Sequence, residues 1–197
     1  MTAFLCIVLG YVLGSAPWGL VIARTFCGID PRNDGSRNTG ATNVARLCGF
    51  RWGGLTLACD LGKGALPVAL ALWLDLSPLL VTCVALACVL GHVFSCFMGF
   101  RGGKAVATSI GVFLPLAFFP LLFSCAACVL VIWRSGFVSL GSLTLVTVLP
   151  FALLAATKYA WVPLSLCIWA LVVWKHKENI ARLRAGTEKS WLKSRQK

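Results

Sequence analysis

The chain has 197 residues, of which 59% are hydrophobic and 12% are charged, whereas a soluble domain usually has ~25% charged residues. This composition excludes a water-soluble globule, and it excludes intrinsic disorder because a disordered chain is poor in apolar residues. Eighteen Lys and Arg against six Asp and Glu give a net charge of +12. We therefore expect a small integral membrane protein with basic extramembrane segments.

The apolar runs predict an all-α polytopic membrane protein with seven transmembrane helices. These runs are residues 2–23, 53–74, 79–98, 105–133, 137–156 and 159–174. A single helix over 105–133 would be about 44 Å long, against a hydrocarbon core of ~30 Å. We therefore expect two short helices that meet near Pro115 and Pro120. In the first run, Gly10, Gly14 and Pro17 are expected to permit close helix contact or a kink.

The distribution of basic residues predicts the orientation, because Lys and Arg accumulate on the cytoplasmic side. With seven spans and the N-terminus outside, sixteen of the eighteen basic residues face the cytoplasm. They lie in loops 24–52 and 100–104, at Arg134 and in the tail 175–197. If 105–133 were one span, Arg134 and the basic tail would face outside, so seven is the better count. We expect one membrane domain over residues 1–197.

The segment 34–46 predicts a loop that can bind a ligand. Glycines let the backbone approach a ligand closely, and Arg46 supplies a planar fork suited to phosphate. The short polar side chains of this segment are those of Ser36, Asn38, Thr39, Thr42 and Asn43. From this loop alone, a plain polar turn between two spans is an equal alternative.

A second polar segment surrounds Lys104. Gly102 and Gly103 precede this lysine at the expected start of a helix, where free N–H groups and the helix dipole favour an anion. The segment is not a P-loop, because Met98 stands where that motif needs glycine. Taken alone, Arg101 and Lys104 are more simply explained by the positive-inside rule, and His92 by helix packing.

The third polar segment lies where the last apolar run ends. His176, Asn179 and Ile180 fall at i, i+3 and i+4, so they share one helical face, and Leu183 continues it. An amphipathic tail attracted to anionic lipid is an equal alternative for this segment. Inside the second run, Asp60 and Lys63 are spaced i and i+3, and we favour a neutralising ion pair over ligand contact.

The predicted topology places the three polar segments on the same side of the membrane. Together they offer glycine-rich turns, hydroxyls, amides, basic side chains and a histidine at the membrane surface. This inventory suits a ligand with a phosphate at one end and a lipid tail at the other.

Several long motifs in this chain resemble the PlsY family, the bacterial acyl-phosphate:glycerol-3-phosphate acyltransferases. They run in the family's order from the first apolar run to the tail: GSAPWG at 14–19, SRNTGATNVAR at 36–46, DLGKG at 60–64, GH at 91–92, GFRGGKAVAT at 99–108 and HKENIARLRAGTE at 176–188. Several long motifs together are far more specific than any one of them.

The resemblance implies a seven-helix enzyme of the bacterial inner membrane, with its active site facing the cytoplasm. It would transfer a fatty acyl group from acyl phosphate to the C1 hydroxyl of glycerol 3-phosphate, giving lysophosphatidic acid and phosphate. The implied catalytic residues are Ser36, Arg46, Lys104, His176 and Asn179. The implied substrate-binding residues are Asn38, Gly40, Thr42, Asn43, Arg101, Gly102 and Gly103.

The chain departs from the family pattern at four positions. Arg37 and Ala105 stand where the family usually has glycine, Ser95 stands where it has proline, and Arg101 stands where it has lysine. Arg101 keeps the charge, and none of the four removes a residue assigned to chemistry.

Because acyl phosphate is already an activated anhydride, we expect direct acyl transfer without an acyl-enzyme. His176 or a substrate phosphate oxygen would take the hydroxyl proton. We expect no cofactor, no metal, no nucleic-acid partner and activity that survives EDTA. The main rival function is a membrane transporter or channel for an organic phosphate, and a non-catalytic scaffold with a lipid-binding tail is the third.

Overall fold

The computed structural model describes residues 1–191, and over these residues all regular secondary structure is helical. The expected all-α class is therefore confirmed. The α-helices in chain order are α1 (Thr2–Ser15), α2 (Trp18–Cys27), α3 (Ala41–Cys48), α4 (Phe50–Trp73), α5 (Pro78–Val93), α6 (Val106–Leu116), α7 (Phe118–Ser135), α8 (Val138–Ala155), α9 (Val162–Lys175) and α10 (Lys177–Arg184). Two short 3₁₀ turns, Cys96–Met98 and Tyr159–Trp161, follow α5 and precede α9.

Five helical segments are long and apolar enough to cross a membrane. They are Thr2–Cys27, Phe50–Trp73, Pro78–Met98, Phe118–Ser135 and Val138–Ala155, and the shorter apolar segments are Val106–Leu116 and Tyr159–Lys175. Large apolar side chains on these helices, such as Trp73 and Phe119, are about four-fifths exposed, at 80% and 79%. Such surfaces suit contact with lipid.

The chain forms two compact units, Met1–Pro115 and Leu116–Lys197, and the structure describes the second as far as residue 191. In the first unit, α1 packs on α5 and α4, while α4 also contacts α2, α3 and α5. In the second unit, α8 packs between α7 and α9, and α10 contacts α9.

Small residues allow the close contact of α1 with α5. A Cβ atom added to Gly14 would overlap the backbone of Cys88, and one added to Gly91 would overlap the carbonyl oxygen of Tyr11. The predicted role of the first run's glycines in helix contact is therefore confirmed. The predicted kink is also present, because α1 ends at Ser15 and α2 begins just after Pro17.

The predicted break within residues 105–133 lies at Ala117. The helix α6 ends at Leu116 with Pro115 in its last turn, and α7 begins at Phe118 with Pro120 in its first turn. Pro120 fits the first turn of α7, where helical N–H groups have no partner within the helix, whereas Pro115 lacks the N–H group for a helical hydrogen bond close to where α6 ends.

The helix α3 corrects the prediction that residues 24–52 form only a polar loop. This segment is amphipathic, and it buries Asn43 and Val44 while Ala45 contacts Gly53 of α4. The glycines and polar residues before it hid this short helical face in the sequence. The predicted third span, 79–98, is confirmed as the helical segment Pro78–Met98, in which the α-helix α5 ends at Val93 and the 3₁₀ turn Cys96–Met98 follows.

Candidate active site

The segment 34–46, called the first motif loop below, is built around the side chain of Asn43, which is 1% exposed. Its Oδ1 accepts a hydrogen bond from the Ser36 N–H at 2.8 Å. Its Nδ2 donates to the carbonyl oxygens of Pro31, Asp34 and Asn38 at 3.0, 3.1 and 2.9 Å. One side chain on α3 thus holds the preceding loop from inside and fixes the backbone of Ser36.

The helix α3 sets the direction of the other polar residues in this motif. Thr42 and Arg46 are four residues apart and share its partly exposed face, while Asn43 points inward. Asn38 accepts a hydrogen bond from the Gly40 N–H at 2.9 Å and so shapes the turn into the helix. Ser36 is exposed. The motif therefore presents the Ser36 hydroxyl and Thr42 near the start of α3, and Arg46 in its last turn.

An ion-pair cluster fixes the beginning of this loop. The carboxylate of Asp30 lies 2.7 Å from a guanidinium nitrogen of Arg24 and 2.7 Å from one of Arg32. The hydrogen bond from Arg32 holds the pKa of Asp30 well below its ordinary value, and the same bond raises the pKa of Arg32. Both arginines thus help to hold the beginning of the loop.

The second motif loop, residues 99–105, is hydrogen-bonded to the end of α5. The Gly102 N–H donates to the Val93 carbonyl at 2.9 Å, and the Gly103 N–H donates to the His92 carbonyl at 3.1 Å. The expectation that these two glycine N–H groups are open to an anion is therefore wrong. Added Cβ atoms would overlap the carbonyl oxygen of His92 at Gly102 and the imidazole Nε2 of His92 at Gly103. These glycines permit close packing, and Lys104 follows them two residues before α6 begins.

Two departures from the family pattern coincide with left-handed backbone. Arg37 has a φ of 55° and Ala105 a φ of 61°, and the resemblance described above led us to expect glycine at both positions. An L-residue in this region costs roughly 1–2 kcal/mol relative to glycine. This chain therefore adopts a glycine-like backbone at Arg37 and Ala105 at some cost in stability.

The first and second motif loops meet at a small cavity in the first unit. Its volume is about 10 Å³, and it is lined by Ser15, Ala16, Pro17, Trp18, Gly19, Thr39, Asp60, Lys63, His92, Met98 and Gly103. Gly19 brings α2 against the backbone of Thr39, since a Cβ atom there would overlap the Thr39 carbonyl oxygen. Residues that are far apart in the chain are thus brought into one polar region.

Asp60 and Lys63 form the ion pair that the sequence favoured. The Lys63 Nζ lies 2.9 Å from Asp60 Oδ1, and it donates to the Ala16 carbonyl at 2.8 Å. Both side chains are nearly enclosed, with 2% and 6% of Asp60 and Lys63 exposed. The lysine therefore ties α4 to the chain break between α1 and α2.

In the second unit, His176 lies between α9 and α10 and is 2% exposed. Its Nδ1 is 2.8 Å from the Val172 carbonyl oxygen, which can only accept a hydrogen bond. This contact assigns the proton of the neutral ring to Nδ1. The Nε2 atom then carries the lone pair, which suits it to accept a proton.

Asn179 is held by a carboxylate that the sequence did not single out as a site residue. Glu188 Oε1 accepts hydrogen bonds from Asn179 Nδ2 and Ser139 Oγ, both at 2.6 Å, and Oε2 accepts one from Arg182 Nε at 2.7 Å. Burial alone would raise the pKa of Glu188, but these hydrogen bonds lower it below its ordinary value. The only sequence signal was the place of Glu188 at the end of the third motif, and nothing marked Ser139.

Comparison with known proteins gives a consistent result over nearly the whole chain. The family model described as glycerol-3-phosphate acyltransferase matches residues 4–186. A glycerol-3-phosphate acyltransferase of Desulfovibrio desulfuricans is 74% identical over 197 residues, covering 100% of this chain and 88% of that protein.

Two solved structures are also similar, both of PlsY (YgiH), an integral membrane glycerol 3-phosphate acyltransferase. Its glycerol 3-phosphate form has 36% identity and a TM-score of 0.92, with 96% of each chain covered. Its lysphosphatidic acid form has 34% identity and a TM-score of 0.91, with 100% of each chain covered. The resemblance drawn from the motifs is thus confirmed, and the chain belongs to the glycerol-3-phosphate acyltransferase family.

Proposed function

We propose that this protein transfers a fatty acyl group from acyl phosphate to the C1 hydroxyl of glycerol 3-phosphate, the first step of phospholipid synthesis. Family membership makes it a membrane glycerol-3-phosphate acyltransferase, and the donor is the part that the proposal adds. The observation that carries the proposal is its likeness, over 96% of the chain, to a membrane acyltransferase in a glycerol 3-phosphate form. Lysophosphatidic acid and phosphate are the products.

In the first unit, Ser36, Arg46 and Lys104 are the proposed catalytic residues. Their support is the polar face of α3, which carries Arg46, and the basic residue Lys104 beside the positive end of α6. The proposed substrate-binding residues are Asn38, Gly40, Thr42, Asn43, Arg101, Gly102 and Gly103. Among these, Asn43, Gly102 and Gly103 would act by shaping the backbone of the site, because their polar groups already bond within the protein.

In the second unit, His176 and Asn179 are the proposed catalytic residues. The bond from His176 Nδ1 to the Val172 carbonyl supports Nε2 as the base for the C1 hydroxyl. A phosphate oxygen of the donor is the other acceptor for this proton. Asn179, oriented by Glu188, would offer its amide to a substrate oxygen.

The proposed reaction is a direct displacement. The C1 oxygen of glycerol 3-phosphate forms a bond to the acyl carbonyl carbon, while the bond from that carbon to the phosphate oxygen breaks. The hydroxyl proton passes to the base, and inorganic phosphate leaves with the electron pair of the broken bond. Arg46 and Lys104 would neutralise charge that develops on the departing phosphate. Trapping of an acyl group on Ser36 would contradict this scheme.

We further propose that residues 1–197 form one inner-membrane domain with seven spans, the N-terminus outside and the active site facing the cytoplasm. The orientation rests on the excess of Lys and Arg on the predicted cytoplasmic side, and three tryptophans near helix ends support an interfacial position there: Trp52 contacts Arg51, Trp133 contacts Arg134 and Trp174 contacts Lys175. Such pairs suit a membrane interface.

The test uses the purified full chain with acyl phosphate and radiolabelled glycerol 3-phosphate. We expect lysophosphatidate from the parent protein, a loss of at least about 100-fold in Lys104→Ala, and parent activity in the matched control Lys158→Ala, which lies outside the motifs. Activity should survive EDTA. Absence of product from the parent, equal yield from Lys104→Ala, or abolition by chelation would contradict the proposal. The same assay is repeated with acyl-CoA and with acyl carrier protein carrying the acyl group, as alternative donors to acyl phosphate.

A further inference from the structure

A buried polar cluster in the first unit has no part in the reaction proposed above. It comprises Asp60 and Lys63 of α4, His92 of α5 and Thr108 of α6, and each of them is at most 7% exposed. His92 Nδ1 lies 2.9 Å from the Thr108 hydroxyl and 3.9 Å from Asp60 Oδ1. The cluster therefore joins three helices through side chains that lie away from water.

The imidazole of His92 supports the loop that carries Lys104. The loop's two glycines bond to the carbonyls of His92 and Val93, and Gly103 lies directly against the imidazole Nε2. The ring orientation is fixed from the other side by Thr108. Rotation or loss of this ring would leave space beneath Gly103, so Lys104 would lose a fixed position.

The cluster also reaches the first motif loop. Lys63 holds the Ala16 carbonyl at the break between α1 and α2, and three residues later Gly19 packs against the backbone of Thr39. Stability alone is a weak reason for such a pair, because a buried ion pair can often be replaced by apolar side chains at little cost. Its contacts to both loops give a more specific reason.

We propose that Asp60, Lys63, His92 and Thr108 are positioning residues, which set the loops carrying Ser36 and Lys104 at the spacing that the substrate phosphates require. This inference rests on the proposed function, because it takes those loops as the phosphate-binding part of the site. The four residues act through backbone and do not touch the reacting atoms.

The least disruptive test is Thr108→Val, which keeps the side-chain shape and removes the hydroxyl beside His92. We expect the KM for glycerol 3-phosphate or for acyl phosphate to rise about tenfold, because binding groups displaced from the substrate phosphates hold the substrate less tightly. The kcat should change less than about threefold, because loss of binding that the substrate and the transition state share raises KM alone. A merely structural defect would lower the amount of active enzyme, and so the apparent kcat, without changing either KM.

Two controls isolate the hydroxyl. Thr108→Ser restores it and should return both KM values to those of the parent. Thr56→Val removes a buried threonine hydroxyl that bonds only to its own helix, at the Trp52 carbonyl 2.9 Å away, and should have no effect on KM. Parent KM values in Thr108→Val, or equal impairment in Thr108→Ser, would overturn the inference.

A double variant tests the same cluster from α4. Asp60→Leu with Lys63→Met replaces the ion pair by apolar side chains of similar size, so we expect folded protein with raised KM values. Parent KM values in this variant would also overturn the inference. If the parent makes no lysophosphatidate from acyl phosphate, the proposed donor fails separately. Calorimetric binding of glycerol 3-phosphate to parent, Thr108→Val and Thr108→Ser then decides the positioning role by itself.

Discussion

Replacement of Asn43 should release the loop that carries Ser36. The side chain makes four hydrogen bonds to that loop, and α3 supplies the rigid base from which they are made. The Asn43→Ala variant removes all four bonds but leaves the helix itself intact, because alanine favours helix. The Asn43→Asp variant keeps the size but places a carboxylate where three carbonyl oxygens need a donor.

The magnitude follows from which partners water can reach. Asp34 and Ser36 are exposed, so water can replace their bonds at little cost, whereas Pro31 is buried and Asn38 is half-buried. Loss of two bonds at about 1 kcal/mol each, with some cost for the carbonyls left in the interior, gives about 2–3 kcal/mol. The fraction of time that the loop is open should then rise roughly 30- to 150-fold. The aspartate variant should be worse, because it adds a buried charge.

Limited trypsin digestion measures this opening directly, because the exposed Arg37 lies within the loop. We expect cleavage after Arg37 to quicken in the order parent, Asn43→Ala, Asn43→Asp, and acyltransferase activity to fall in the same order. The matched control is Asn33→Ala, an exposed asparagine of the same loop, which should be cleaved at the parent's rate. A cleavage rate in Asn43→Ala within twofold of the parent's would refute the reasoning.

Three other predictions concern packing, strain and pH. Gly111→Ala should destabilise the protein by about 1–3 kcal/mol and so lower its melting temperature in detergent, because the added Cβ would overlap the Leu61 carbonyl oxygen. At Gly62 an added Cβ meets open space, so Gly62→Ala should leave the melting temperature unchanged; equal melting temperatures for the two variants would contradict the α4–α6 contact. Arg37→Gly should raise the free energy of opening of the loop by about 1 kcal/mol, because glycine adopts a φ of 55° without strain. Proteases other than trypsin should then cleave the loop more slowly, and faster cleavage would count against backbone strain at Arg37. The hydrogen bonds that Glu188 accepts lower its pKa below the ordinary 4.5. The ionised carboxylate should therefore stabilise the fold fully above pH 4.5, and this stabilisation should be lost as the pH falls below 4.5 and through the lowered pKa. Hydrogen exchange over residues 186–191 should show this loss in the parent and not in Glu188→Gln.

The positions of the helices could largely be predicted because hydrophobicity and proline act locally. The kink near Pro17 and the break between Pro115 and Pro120 follow from the missing N–H group of proline. The helix α3 could not be predicted in this way, because its eight residues are too few for a clear periodic signal. Its stability comes from packing on α4, which the sequence does not display.

The sequence by itself determined the membrane class and the family, because composition and linear motifs carry that information, and it supplied the site residues that we propose. Only the tertiary structure decided what several of those residues do. The sequence suggested that the N–H groups of Gly102 and Gly103 could bind an anion, but in the structure they donate hydrogen bonds to the last carbonyl groups of α5. In the same way, Asn43 proved to be the internal support of its loop, and Glu188 proved to hold Asn179. The physical reason is that a hydrogen bond depends on partners brought together by folding, and their separation along the chain does not reveal them.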